Sequence, residues 1–120
     1  MVLVDTSVWI SHLRKGNAHL QYLLTEGKVA CHPFIIGELA CGNIKNRKEI
    51  LSLLEALPKT ELIRHNEILY FIDLHQLMRK GLGYIDTHLL ASTQLSGIYL
   101  WTLDNNLKEA GDRLNLSYIN

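Results

Sequence analysis

The sequence predicts a single α/β domain over residues 1–120, built on a twisted parallel β-sheet with helices on both faces. Three observations support this fold class. The apolar run at 2–4 lacks polar alternation, which is typical of a strand covered on both faces, and 98–103 is a second strand candidate. Helical patterns separate the strand candidates, and no hairpin turn signal lies between them. The 120 residues suffice for one hydrophobic core.

Caps and breakers divide the first half of the chain into short elements. Thr6 or Ser7 can cap the first helix, and Gly27 ends the second. Pro33 suits the first position of a third helix, and Asn46 can cap a fourth. The expected elements are strand 2–4, helix 8–13, helix 18–25, strand 29–31, helix 33–41 and helix 46–57.

The second half continues the alternation. A weak strand is expected at 61–63, and Asn66 can cap a long amphipathic helix that ends near residue 80. Gly97 stops the next helix. The expected elements are strand 61–63, helix 66–80, helix 85–96, strand 98–103, a short helix to about residue 110, and strand 116–119.

Composition limits the classes of function. Twelve basic and twelve acidic residues give a formal net charge of zero, so nothing indicates a general nucleic-acid coat or a membrane-surface protein. The two cysteines, Cys31 and Cys41, lack zinc or redox spacing and are expected to be buried free thiols. With no signal peptide or membrane span evident, we expect a cytoplasmic protein.

Two acids occupy equivalent places. Asp5 and Asp104 each follow an apolar strand and precede a helix, so a parallel sheet would bring both to its carboxyl edge, where α/β sheets bind ligands. The alternative is that each serves only as a helix cap or turn residue.

Two further acids lie on predicted helices. Glu38 shares a helix face with Ile35 and Leu39, and a carboxylate buried there would need a compensating partner. The alternatives are a basic residue from elsewhere or exposure of that face. Asp86 opens a helix, where the helix dipole alone can account for an acid. Together, several ionised carboxylates favour a hard cation such as Mg²⁺ or Mn²⁺, which commonly serves phosphoryl chemistry.

The order of these acids resembles that of the PIN-domain ribonucleases, and more narrowly the VapC-type toxins of toxin–antitoxin pairs. The motifs are D-T-S after the first strand, F-I-I-G-E-L, Y-I-D-T-H-L-L-A and T-L-D. The resemblance covers essentially the whole chain and implies a single PIN-like domain. It implies metal-binding, catalytic roles for four carboxylates and supporting hydroxyls: Asp5, Glu38, Asp86 and Asp104, with Thr6, Ser7 and Thr102.

The resemblance also implies an activity and partners. It implies a Mg²⁺- or Mn²⁺-dependent endoribonuclease that hydrolyses RNA phosphodiesters with activated water and leaves 5′-phosphate and 3′-hydroxyl ends. It implies a cognate antitoxin protein and a homodimer. One departure is Asn105–Asn106, where many relatives carry a further acid, so a second metal would be held less strongly.

Other residues leave alternatives open. Arg14 and Lys15 are candidates for RNA binding, although solvated residues at a helix end would look the same. A different function remains possible for the same fold, namely a catalytically weak PIN-like binding module that acts through a protein partner. A phosphotransfer protein would need an acid where Ser7 stands or a glycine-rich loop, and neither is present.

Overall fold

The computed structural model describes residues 1–119, and its centre is a parallel three-stranded sheet in the order β2-β1-β3. The strands are β1 (Val2–Val4), β2 (Val29–Ala30) and β3 (Tyr99–Trp101). Val2 lies opposite both Val29 and Tyr99. Single parallel bridges, Cys31 to Lys59 and Leu100 to Ser117, extend the sheet on either side. The predicted α/β fold class is therefore confirmed.

Seven helices surround the sheet within residues 1–119, in the predicted order. They are α1 (Thr6–Lys15), α2 (Ala18–Thr25), α3 (Pro33–Ala40), α4 (Arg47–Ala56), α5 (His65–His75), α6 (Tyr84–Ser96) and α7 (Asn105–Arg113). None of the helices described is both long and apolar enough to cross a membrane.

The core is continuous across both faces of the central strand. Leu3 and Val4 point to opposite sides of β1, as successive strand residues must, and both are fully buried. Helix α6 is the most deeply enclosed helix, because every residue from 87 to 93 is buried. Strand β1 and helix α6 thus provide a rigid base for the residues at the carboxyl edge of the sheet.

Several predicted helix boundaries were wrong. Asp5, and not Thr6 or Ser7, is the residue that precedes α1. Helix α5 begins after Arg64, whose N–H donates to the Glu67 side chain at 3.2 Å, so Asn66 is not the cap. That helix ends at His75, short of residue 80, because Gln76 adopts a left-handed conformation with φ 51°.

Two predicted strands are not formed as expected. The Glu61 backbone is paired with helix α6, since its N–H donates to Ser96 Oγ at 3.2 Å and its carbonyl accepts from Ser92 Oγ at 2.7 Å. The strand predicted at 61–63 is therefore absent, and the parallel bridge forms at Lys59. The strand predicted at 116–119 is reduced to the bridge at Ser117.

The remaining boundaries agree with the sequence within a few residues. Pro33 is the first residue of α3, and Gly97 follows α6 with φ 66°, a conformation that suits glycine. The cysteines are both free, as expected, but only Cys31 is buried, whereas Cys41 is exposed at the end of α3. Burial raises the pKa of the Cys31 thiol to about 11.

Candidate active site

The carboxyl edge of the sheet brings Asp5 and Asp104 together, as the sequence predicted. Strands β1 and β3 are parallel neighbours, and the Asp5 N–H donates to the Trp101 carbonyl at 2.9 Å. Asp5 follows β1 directly and is 6% exposed. Asp104 comes three residues after the end of β3 and is exposed. The edge therefore presents one enclosed and one open carboxylate.

Two hydroxyl groups hold the Asp5 carboxylate in place. Ser7 Oγ donates to Asp5 Oδ2 at 2.8 Å, and Thr102 Oγ1 donates to the same oxygen at 2.7 Å. Ser7 Oγ in turn accepts from the Leu103 N–H at 3.0 Å, and Thr102 Oγ1 accepts from the Asp104 N–H at 3.0 Å. These hydroxyls tie the segment after β1 to the segment after β3.

Asp104 performs the capping role that was the alternative explanation for it. Its Oδ1 accepts from the Leu107 N–H at 2.9 Å, which satisfies one free donor at the start of α7. Its Oδ2 makes no hydrogen bond within the described chain. Capping and ligand binding are thus compatible, because each uses a different oxygen of the same carboxylate.

Glu38 is exposed, which corrects the expectation that it lies on a buried helix face. The buried residues of α3 are Ile35, Ile36 and Leu39, and they occupy an arc of the helix that leaves Glu38 at its rim. Thr6 Oγ1 donates to Glu38 Oε1 at 2.7 Å, and this bond joins α3 to the start of α1. Glu38 therefore reaches the carboxyl edge through a hydroxyl and not through burial.

Asp86 sits half-buried in the first turn of α6, next to the same edge. Burial raises the pKa of its carboxyl above the ordinary 3.8, the Gly83 N–H lowers it, and the charges of Asp5 and Asp104 raise it. The Gly83 N–H donates to Asp86 Oδ2 at 2.9 Å. Because Asp5 and Asp104 act on Asp86 through their charges, the structure brings these three acids into one electrostatic neighbourhood.

The four carboxylates share one arrangement. Each has one oxygen held by neutral donors, two for Asp5 and one for each of the others, and the other oxygen has no hydrogen-bond partner within residues 1–119. None of the four forms a salt bridge with a basic side chain in that range. Such oxygens are suitable ligands for Mg²⁺ or Mn²⁺.

The acids do not form a closed cage. No three His, Cys, Asp or Glu side chains in the described part of the chain are grouped closely enough to hold a metal ion. Mg²⁺ commonly keeps several waters and binds proteins through only one or two carboxylates. The donor set therefore fits this class of ion by its chemistry.

Sequence reasoning missed the backbone group that positions Asp86. Gly83 precedes α6, and its N–H binds the acid three residues later. The signal was an acid at the third position of a helix, which is the acceptor position of a capping box.

Arg14 and Lys15 are exposed at the far end of the ten-residue α1. That end lies about 15 Å along the helix axis from Asp5, and RNA contact by these two residues stays a prediction.

The elevated pKa of Asp86 predicts how stability depends on pH. In the metal-free protein the folded state holds the Asp86 proton more tightly than the unfolded state does, so its contribution to stability falls as the pH rises from 3.8 through the raised pKa. Asp86→Asn should remove this loss. In thermal melts in EDTA across this pH range, the melting temperature of the variant relative to that of the wild type should rise as the pH rises.

Asp112 provides a control of opposite sign. The Ser117 hydroxyl and Lys108 lower the pKa of its carboxyl, so its contribution to stability is lost as the pH falls. The stability of Asp112→Asn relative to the wild type should therefore fall as the pH rises. If the melting temperatures of Asp86→Asn and the wild type changed with pH in parallel, the raised pKa assigned to Asp86 would be contradicted.

The fold and the site together define a class of protein, a parallel α/β domain with acids at the carboxyl edge of its sheet. The PIN domain family model matches residues 2–113 of this chain. The chain belongs to the PIN domain family. It is 46% identical over 111 residues to Ribonuclease VapC32 of two Mycobacterium tuberculosis strains, CDC 1551 / Oshkosh and H37Rv. The alignment covers 92% of this chain and 90% of each relative.

A solved structure shows the same fold at low sequence identity. The crystal structure of PAE2754 from Pyrobaculum aerophilum superposes with a TM-score of 0.65 at 18% identity. The match covers 98% of this chain and 87% of that one. The resemblance to PIN domains inferred from the order of the acids is confirmed by the family model and by the two relatives.

Proposed function

We propose that this protein is a metal-dependent endoribonuclease and the toxin of a type II toxin–antitoxin system. The observation that carries the proposal is the shared arrangement of the four carboxylates, in which one oxygen is fixed and the other is available. The name of the relatives, Ribonuclease VapC32, supports RNA as the substrate.

The residues that would hold Mg²⁺ or Mn²⁺ are Asp5, Asp86, Asp104 and Glu38. When bound there, such a cation activates water for attack on a phosphodiester and neutralises phosphate charge. Thr102 and Ser7 fix the direction of the Asp5 carboxylate, and Thr6 fixes that of Glu38. Hydroxyl donors add no charge to the site, whereas lysine or arginine partners would offset the negative charge that attracts a cation.

The partners in this proposal are RNA, a cognate antitoxin and a second copy of the chain, in the cytoplasm. Exposed apolar side chains support a protein partner. On α5, Leu69, Tyr70 and Leu74 are 48%, 68% and 58% exposed, and Leu62 just before that helix is 61% exposed. Apolar groups of this size are often found in protein–protein interfaces.

Metal dependence is the direct test. Purified protein, freed of any copurified partner, should cleave total cellular RNA at discrete sites with Mg²⁺ or Mn²⁺, and cleavage should fall to background in excess EDTA. Re-addition of the metal should restore the same cuts. Sequencing of the cut ends would name the substrate.

Two outcomes would count against the proposal. Cuts that persist in EDTA would indicate a contaminating or metal-independent nuclease. A folded protein that binds Mn²⁺ but cuts no RNA would favour the alternative, a PIN-like binding module acting through its partner.

A further inference from the structure

A basic cavity opens between helix α7 and the loop 76–83 that joins α5 to α6. Its volume is about 450 Å³, within the range of ligand sites. Three cations, Arg79, Lys80 and Arg113, line it together with a single acid, Glu109. None of the three cations forms a salt bridge in the part of the chain that the structure describes. Because three cations line the cavity with one acid, the cavity carries a net positive charge.

The loop that forms one wall is fixed to α7 at both ends. Arg113 Nη2 donates to the His75 carbonyl at 2.8 Å, and Asn106 Nδ2 lies 3.5 Å from the Gly81 carbonyl. Gly81 has φ 71°, and a Cβ on it would lie 2.5 Å from Asn106 Nδ2. The Asn106 side chain could move away from such a Cβ, but the positive φ is a conformation that glycine adopts without strain, so glycine favours this position of the loop.

The walls of the cavity lead directly to the proposed active site. Helix α7 starts immediately after Asp104. The loop runs on to Gly83, whose N–H holds Asp86. From Asp104 to Arg113 is nine residues, which is about 13 Å along the helix. A polymer bound at the acids would thus have cations beside it further along its length.

We propose that this cavity binds the phosphodiester backbone of single-stranded RNA next to the bond that is cleaved, with Arg79 and Lys80 contacting phosphates. The inference rests on the proposed function, and it assigns the path of the substrate to one side of the acids. The carboxylates repel phosphates that are not covered by metal, so flanking phosphates need separate cations. The cavity provides such cations where the loop and α7 meet.

The lining favours a nucleic-acid backbone over a protein segment. Its apolar contribution is limited to Ala110 and the stems of long side chains, whereas protein interfaces centre on apolar and aromatic anchors. Arginine and lysine on a groove wall are the usual contacts for phosphates. An acidic peptide would use the same cations, and the experiment must separate the two.

The test compares two double variants that each remove two positive charges. Arg79→Gln/Lys80→Gln changes the cavity, and Lys28→Gln/Lys48→Gln changes two exposed lysines outside its lining. Binding of a fluorescein-labelled single-stranded RNA is followed by anisotropy in EDTA, over a range of KCl concentrations. KM and kcat for the RNA cleaved by the wild type are measured with metal.

We expect the cavity variant to bind RNA about tenfold more weakly, and its salt slope to fall by about 0.7 for each phosphate that the protein no longer neutralises. KM should rise while kcat stays near the wild-type value, because these residues do not touch the reacting atoms. The control double variant should match the wild type. Lys80→Gln alone, which alters one exposed side chain, should show a smaller change in the same direction.

The failures are distinguishable. If the wild type cleaves RNA and both double variants bind it equally, the cavity inference is overturned and the proposed function stands. If no RNA is cleaved but the cavity variant binds RNA more weakly, RNA binding by the cavity is supported, while the nuclease proposal and the placement beside a cleaved bond both fail. Unchanged RNA binding together with weaker binding of a poly-glutamate peptide would overturn the inference in favour of a protein-binding groove.

Discussion

Asp86→Asn should lower the rate of RNA cleavage by about a thousandfold, because it removes one full negative charge from the proposed metal site. The amide has nearly the shape of the carboxylate, and its oxygen can still accept from the Gly83 N–H. The fold should therefore persist. Initial rates at saturating Mg²⁺ and a thermal melt would measure both effects.

A matched control separates this effect from a general loss of charge. Glu26→Gln makes the same carboxylate-to-amide change at an exposed residue after α2, on the approach to the amino end of β2. It should leave both the rate and the melting temperature near the wild-type values. If Asp86→Asn cleaved RNA at the same rate as the control variant, Asp86 would not be part of the proposed metal site.

Thr102→Val should reduce cleavage by about 10- to 100-fold, the usual cost of losing a group that orients a metal ligand. The change keeps the β-branched shape but removes the hydroxyl that donates to Asp5 Oδ2 and accepts from the Asp104 N–H. One substitution thus removes a positioning hydrogen bond from two acids. The metal concentration for half-maximal activity should rise as well, which a merely structural defect would not require.

A conservative variant at the same position tests whether the hydroxyl itself is required. Thr102→Ser retains the hydroxyl and should keep most of the activity and the wild-type metal requirement. Thr102→Val should also cost about 1–3 kcal/mol in the free energy of unfolding, because the Asp104 N–H loses its acceptor and the charged Asp5 Oδ2 keeps only the Ser7 hydroxyl as a donor. Equal activity of the serine and valine variants would show that the hydroxyl does not position the acids.

The sequence was most informative where backbone chemistry alone decides the structure. The apolar run at Val2–Val4 marked the central strand, and Pro33 and Gly97 marked helix ends through their restricted or permissive backbones. The edge that carries Asp5 and Asp104 followed from the parallel topology. These features depend on local properties that a single chain displays directly.

The sequence failed where distant groups compete for the backbone. The strand expected at 61–63 was absent because Ser92 and Ser96 on α6 bind the Glu61 backbone. Periodicity placed Glu38 on a buried face, although the actual packing of α3 leaves it exposed at the rim. A local sequence pattern reveals neither the hydrogen bonds of the Glu61 backbone nor the exposure of Glu38. Both depend on how α6 and α3 pack against the rest of the chain.

The acid order located four candidate residues, but not the means by which they are oriented. The donor to Asp86 is a backbone N–H, which no side-chain motif reveals. The basic cavity was also out of reach, because the loop of Arg79 and Lys80 meets α7 only in three dimensions. The sequence analysis selected Arg14 and Lys15 as candidates for RNA binding, and only the structure shows that Arg79 and Lys80 line a cavity beside α7.

The sheet order also has a consequence for how the protein is made. The central strand β1 is synthesised before its neighbour β3, which follows almost a hundred residues later along the chain. Contacts between such distant segments form late. A nascent chain therefore carries Asp5, Thr6 and Ser7 without the hydroxyl of Thr102 until β3 has been synthesised. The carboxyl edge of the sheet acquires its full set of hydrogen bonds only after β3 and Thr102 have been synthesised and have packed against β1.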